Sequence, residues 1–114
     1  MSKEVKRGEI YWVDWSLGRG SEQSGLRPAL VIQNDVGNKF SPSTVVAAIT
    51  TAPEKPYRFM VRITASESGL PRDSMINLAV ILTIDQTCLG DKCGELSQTK
   101  MTEVDEAIKT SLAL

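Results

Sequence analysis

An arginine at the mouth of one apolar strand and a threonine at the end of another are the residues of this chain best suited to chemistry. Arg27 leads into Pro28-Ala29-Leu30-Val31-Ile32, and Thr50 closes Thr44-Val45-Val46-Ala47-Ala48-Ile49, with Thr51 beside it. A guanidinium presents a fork matched to phosphate oxygens, and a hydroxyl donates or accepts one hydrogen bond. If the two strands are neighbours, both groups can converge on one phosphate. The segment ahead of Arg27 is a glycine-punctuated loop in which Ser21, Glu22 and Gln23 can add contacts to the same ligand. On these grounds alone Arg27 reads equally as one half of a structural ion pair, and Thr50 as an ordinary strand-end threonine. Trp12 and Trp15 fit either base stacking or core packing.

What the chain lacks narrows the chemistry further. It contains no histidine, which excludes Ser-His-Asp and Cys-His catalysis and any imidazole acid or base. Its two cysteines, Cys88 and Cys93, flank Gly90 in a C-x4-C spacing and read as reduced thiols near a turn or as a local disulfide. No further cysteine completes a four-ligand zinc site, so neither a metal nor a cofactor is expected. The net charge of -1 conceals an uneven distribution. Lys3, Lys6, Arg7, Arg19 and Arg27 lie early in the chain, whereas Asp91, Glu95, Glu103, Asp105 and Glu106 lie late. A one-sided basic face and a mixed, solvated surface are both compatible with that pattern.

The elements that must position Arg27 and Thr50 can be read from the apolar pattern. With 114 residues, 41% of them hydrophobic, residues 1–114 are expected to form one soluble domain. No apolar run is long enough to cross a bilayer, and Met1 to Arg7 lacks the apolar region of a signal peptide, so a cytoplasmic location is the default. Ile10 to Trp15, Arg27 to Asn34, Thr44 to Thr51, Tyr57 to Ile63 and Ser74 to Ile84 are predicted strands. Ser16 to Leu26 and Ala52 to Pro56 are predicted loops, and Asp35 to Asn38 and Ser41 to Ser43 are predicted turns. Met101, Val104, Ile108 and Leu112 recur at spacings of three and four, which predicts an amphipathic helix capped by Ser97 or Thr99. Short strands followed by one helix suggest a mainly β fold, a strongly bent sheet closed or nearly so with the helix packed on it.

Several ordered fragments together resemble the MazF/PemK family of toxin endoribonucleases. They are Arg7-Gly8-Glu9-Ile10-Tyr11-Trp12, Gly20-Ser21-Glu22-Gln23-x-Gly25-x-Arg27-Pro28-x-Leu30-Val31-Ile32-Gln33-Asn34-Asp35, Ser41-Pro42 through Ile49-Thr50, Gly69-Leu70-x-x-Asp73-Ser74 and Thr83-Ile84-Asp85. The resemblance implies a small CcdB/PemK-like, SH3-like β-barrel with a C-terminal helix, working as a homodimer. It implies metal-independent, sequence-specific cleavage of single-stranded RNA, with Arg27 and Thr50 catalytic and Ser21, Glu22, Gln23 and Thr51 binding substrate. The implied products are a 2′,3′-cyclic phosphate and a 5′-hydroxyl. The implied partner is a small acidic antitoxin, with DNA binding expected of the toxin–antitoxin complex.

One stretch departs from the family pattern. Relatives carry a Glu-Gln-x-Arg run before Thr-Ile-Asp, where this chain has Ala79-Val80-Ile81-Leu82. Some relatives also carry a histidine at the place of Ser21. The departure leaves an alternative open, in which a weakened or inactive member acts by binding an antitoxin or a protein target such as gyrase.

Overall fold

In the computed structural model the described residues are 4–14, 25–51 and 57–114. Among them lie six strands and three α-helices, in the order β1 (Glu9–Asp14), β2 (Leu26–Val31), α1 (Asp35–Phe40), β3 (Ser43–Thr51), β4 (Met60–Ile63), α2 (Ala65–Ser68), β5 (Ser74–Asp85), β6 (Leu89–Glu95) and α3 (Gln98–Leu112). The strands form one antiparallel sheet in the order β4-β5-β3-β2-β1-β6. The sheet is bent but does not close, leaving β4 and β6 as its two edges. No helix among the described residues is long and apolar enough to cross a membrane.

Strand β3 lies between β2 and β5 and feeds two apolar layers by simple alternation. Ala47 and Ile49 join Ile10, Leu30, Ile63, Ile76 and Leu78 beneath α3. Val46 and Ala48 join Tyr11, Val13, Ala29 and Val31 on the opposite face. Both faces of β3 are therefore buried, as its unbroken apolar run predicts.

Helix α3 starts where expected, with the Ser97 hydroxyl accepting from Lys100 N. Its buried face is Met101, Val104 and Ala107, with Ile108 partly buried. Leu112, predicted to be part of that stripe, is instead 54% exposed, although the neighbouring Ser111 hydroxyl still donates to the Leu78 carbonyl of β5.

Other expectations need correction. Asp35 to Phe40 is a helix rather than a turn, because the Asn34 side chain caps it by accepting from Gly37 N at 2.7 Å. Buried Asn38 then fixes it, accepting from Gln33 Nε2 and from the Thr44 hydroxyl. The second strand stops at Val31 instead of reaching Asn34, and the fourth begins at Met60 rather than Tyr57. The segment around the cysteines, read as a turn, contains β6, and both thiols are free. Of the predicted loop Ser16 to Leu26, residues 16–24 fall outside the described residues, as do Trp15 and the predicted loop Ala52 to Pro56, while Leu26 already belongs to β2.

Two local devices shape the end of the sheet near Thr50. The first is an irregularity in β5: Ala47 pairs with Ile81, but the next residue, Ala48, pairs with Asn77. Leu78, Ala79 and Val80 are thereby looped out of the ladder, with Leu78 turned into the core and Ala79 and Val80 exposed. Asn77 Oδ1 accepts from Ala79 N at 2.9 Å and holds the bend. The departure from the family pattern begins on this bulge.

The second device is the turn after α2. Thr64 and Glu67 form a reciprocal capping box, and Gly69 ends the helix at φ 80°. A side chain on Gly69 would collide with the Cys93 carbonyl, and one on Gly94 with the Ser68 carbonyl. The two glycines thus let the turn cross β6 backbone against backbone, which seats Leu70 in the core and sets the path of residues 71–73.

Candidate active site

Arg27 and Thr50 are brought together by register. The β2–β3 ladder ends with Ala29 opposite Ala48, and its antiparallel register carried two residues further leads to Arg27 and Thr50 at the same end of the sheet. By alternation both side chains share the face of Ala29 and Ala48. They also line one groove of about 150 Å³ at that end of the sheet. Thr51, Arg72 and Ser74 are its other polar lining residues, while Trp12, Pro28, Ile49 and Leu70 form its apolar wall. No carboxylate among the described residues lines it.

Arg27 is half-buried, and its Nε is buried without a hydrogen-bond partner among the described residues. Leaving such a donor unsatisfied costs about 1–3 kcal/mol, so a retained orphan points to a ligand. No ion pair engages the Arg27 side chain among the described residues, which disfavours the structural ion-pair reading. Its strand is anchored on both sides, because Val13 pairs with Arg27 from β1 while β3 flanks the other edge.

Thr51 follows Thr50 on the opposite face and pairs with Ser74 at the start of β5. Ser21, Glu22, Gln23 and Trp15 lie outside the described residues. Trp12 is partly buried against the layer beneath α3 while also lining the groove, so it combines packing with an exposed apolar wall.

Arg72 and Ser74 went without a role in the sequence reading. A signal for Arg72 was present: like Arg27, it is an arginine close to the start of an apolar strand. What the sequence could not supply was the β3–β5 register that places the two arginines on one groove.

A larger depression, about 510 Å³, lies at the opposite pole beside α1. Its lining carries both signs of charge, with Glu4 paired to Lys6, Asp35 accepting from Arg7 N, and Lys39 Nζ over the Phe40 ring. In the smaller groove no described carboxylate stands beside Arg27 and Arg72. Among the described residues no three carboxylate or thiol side chains converge as a metal site would require.

A buried carboxylate steadies β1 away from the groove. Glu9 Oε1 accepts from Lys6 N at 2.7 Å and from the Tyr11 hydroxyl at 2.8 Å, while Oε2 pairs with Lys92 Nζ at 2.8 Å. Burial pushes the Glu9 carboxyl up, but the hydrogen bonds from Lys92, Lys6 N and Tyr11 outweigh it and hold the group below its ordinary value. Tyr11 is displaced upward by burial and by its bond to Glu9, so it stays protonated.

The profile of the PemK-like, MazF-like toxins of type II toxin–antitoxin systems matches residues 6–112. The chain is 51% identical over 111 residues to the endoribonuclease EndoA of Bacillus subtilis strain 168, covering 96% of each protein. It is 45% identical over 111 residues to the endoribonuclease MazF of Staphylococcus epidermidis, covering 96% of this chain and 92% of that one. Among solved structures, it superposes with a TM-score of 0.81 on a mycobacterial endoribonuclease in complex with its cognate antitoxin, at 27% identity and 96% coverage of both chains.

Proposed function

The chain belongs to the PemK-like, MazF-like toxins of type II toxin–antitoxin systems, and we propose that it cuts single-stranded RNA in the groove between Arg27 and Thr50. Endoribonuclease activity is the function its relatives carry over nearly their whole length. The observation that carries the placement is the buried Arg27 Nε, unpartnered among the described residues, beside a strand-end hydroxyl in a groove that no described carboxylate lines.

In the proposed reaction the RNA's own 2′-hydroxyl oxygen attacks the adjacent phosphorus and the bond to the 5′-oxygen breaks. The 2′-hydroxyl loses its proton and the departing 5′-oxygen gains one. A 2′,3′-cyclic phosphate and a 5′-hydroxyl result, with no metal ion required. Arg27 stabilises the charge that builds on the equatorial oxygens, which is where a fixed guanidinium helps most. A guanidinium gives up its proton too reluctantly to act as a general base, so its role is electrostatic. Thr50 orients the phosphate or the attacking hydroxyl. Thr51, together with Ser21, Glu22 and Gln23 of the preceding loop, holds the strand.

The proposed partners are single-stranded RNA in the cytoplasm, a small acidic antitoxin and a second copy of the chain. The antitoxin is supported by the structural relative solved with its cognate antitoxin. Self-association is supported by an exposed apolar patch. Tyr57, Val80 and Leu112 are 62%, 37% and 54% exposed. Buried Leu78 ties their segments together, donating to the Phe59 carbonyl and accepting from the Ser111 hydroxyl.

The purified chain should be incubated with a long single-stranded RNA in EDTA and the fragment ends sequenced. Discrete cuts bearing 5′-hydroxyls are expected. Intact RNA would favour the second reading, a family member that acts by binding, for which the exposed apolar Ala79 and Val80 on the β5 bulge are the supporting observation.

A further inference from the structure

We propose that Arg72 holds a phosphate adjacent to the one that is cut, so that two guanidiniums grip consecutive positions of the RNA backbone. This rests on the nuclease reading and extends it to a residue without an assigned role.

The groove's charge is the first support. Arg72 and Arg27 line it together, and no carboxylate among the described residues opposes them. Such a lining suits a polyanion better than an isolated phosphate. The mounting of Arg72 is the second. Arg72 is exposed and enters no salt bridge or hydrogen bond among the described residues, so its side chain is free to meet a ligand.

The backbone beneath that free side chain is tied down at several points. The Ser74 hydroxyl donates to the Arg72 carbonyl at 3.0 Å, and Asp73 Oδ1 accepts from Ala65 N at 2.8 Å. Leu70 is buried, and Gly69 locks the turn against β6. A mobile surface arginine would pay rotamer entropy to bind, whereas a fixed mount limits that cost to the side chain itself.

RNA chemistry is the third support. Every nucleotide brings its own phosphate, so a chain that presents one to Arg27 carries the next along the same groove. A contact to that neighbouring phosphate is made equally before and during bond breaking. It therefore tightens binding and fixes register without accelerating the chemical step.

The test uses wild-type chain, Arg72→Gln and Arg72→Lys. The probe is a short oligoribonucleotide spanning a mapped cut site, made uncleavable by a 2′-deoxy sugar at the scissile position; oligouridylate replaces it if the wild type cuts nowhere. Binding is read by fluorescence anisotropy, with each linkage in turn replaced by a neutral methylphosphonate. For Arg72→Gln, affinity should fall about tenfold. Its plot of log affinity against log salt should become shallower by about 0.7.

One methylphosphonate beside the scissile linkage should weaken wild type but not Arg72→Gln, and Arg72→Lys should recover part of the loss. On cleavable RNA, Arg72→Gln should raise KM with kcat within about twofold of wild type. Additive losses at every linkage, or a fall in kcat at unchanged KM, would overturn the assignment. The methylphosphonate pattern without wild-type cleavage supports this phosphate site and overturns only the nuclease reading. Cleavage without the pattern overturns only the role of Arg72.

Discussion

Arg27 and Thr50 line one groove, each two residues beyond the Ala29–Ala48 pair at which the β2–β3 ladder ends. Both stand on strands of the sheet, β2 and β3, which pair directly just before them. Replacing Arg27 with Ala should lower the cleavage rate by about 10²–10³-fold or more, the usual cost of losing a charge-stabilising donor. Thr50→Ala should cost about tenfold or more and Thr50→Ser much less, because the hydroxyl survives. Rates on a mapped RNA site, beside circular dichroism and sedimentation of the same variants, check both. Unchanged cleavage in Arg27→Ala would remove this residue from the mechanism.

The Glu9 network predicts a pH dependence of stability. Its folded carboxyl lies below the ordinary value of about 4.3. The stabilisation is therefore fully present above that value and lost as pH falls through the folded one. Glu9→Gln should cost on the order of 1–2 kcal/mol at neutral pH, and its stability should converge on wild type in acid. Urea unfolding across the acid range measures this; parallel curves for the two proteins would contradict it.

Gly69 should tolerate no side chain. Its positive φ and its approach to the Cys93 carbonyl both oppose a Cβ. Gly69→Ala should destabilise the fold by about 2 kcal/mol or more. Because that turn carries Leu70 and Arg72 to the groove, RNA affinity of the folded fraction should weaken as well. A thermal melt paired with RNA binding tests both effects, and wild-type values in each would refute the backbone-crossing account.

The apolar patch predicts which variants separate subunits. Val80→Asp and Leu112→Asp place charge among Tyr57, Phe59 and the end of α3 without touching a buried layer. Sedimentation equilibrium should show both variants shifted toward monomer with near-native circular dichroism. Retention of the wild-type mass would move the subunit contact to another face.

Legibility in the sequence followed the strength of the local signal. Strands β1, β2, β3 and β5 announced themselves because long apolar runs must be buried on at least one face. Helix α3 was visible from Met101, Val104 and Ile108, although the exposure of Leu112 was not. Strand β6 was illegible because Leu89-Gly90-Asp91-Lys92-Cys93-Gly94-Glu95 has only Leu89 buried, and its pairing with β1 is a tertiary fact. Helix α1 was hidden by residues that favour turns, until Asn38 found partners in Gln33 and Thr44. Arg27 and Thr50 stood out through their strand-end positions and through resemblance. Arg72 did not, because its place depends on the pairing of β3 with β5.

The pairing of β1 with β6 has a consequence for how the molecule is made. Glu9 lies opposite Glu95, so β1 must wait for its second neighbour until residues far along the chain have been synthesised. Contacts of such sequence separation close slowly, and until they do β1 presents an open edge. The groove residues from Trp12 to Ser74 emerge earlier, but the β6 backbone that braces the Gly69 turn does not. A nascent chain on the ribosome therefore carries Arg27 and Thr50 well before Arg72 is held in place, and full RNA grip is gained only after the sheet is complete.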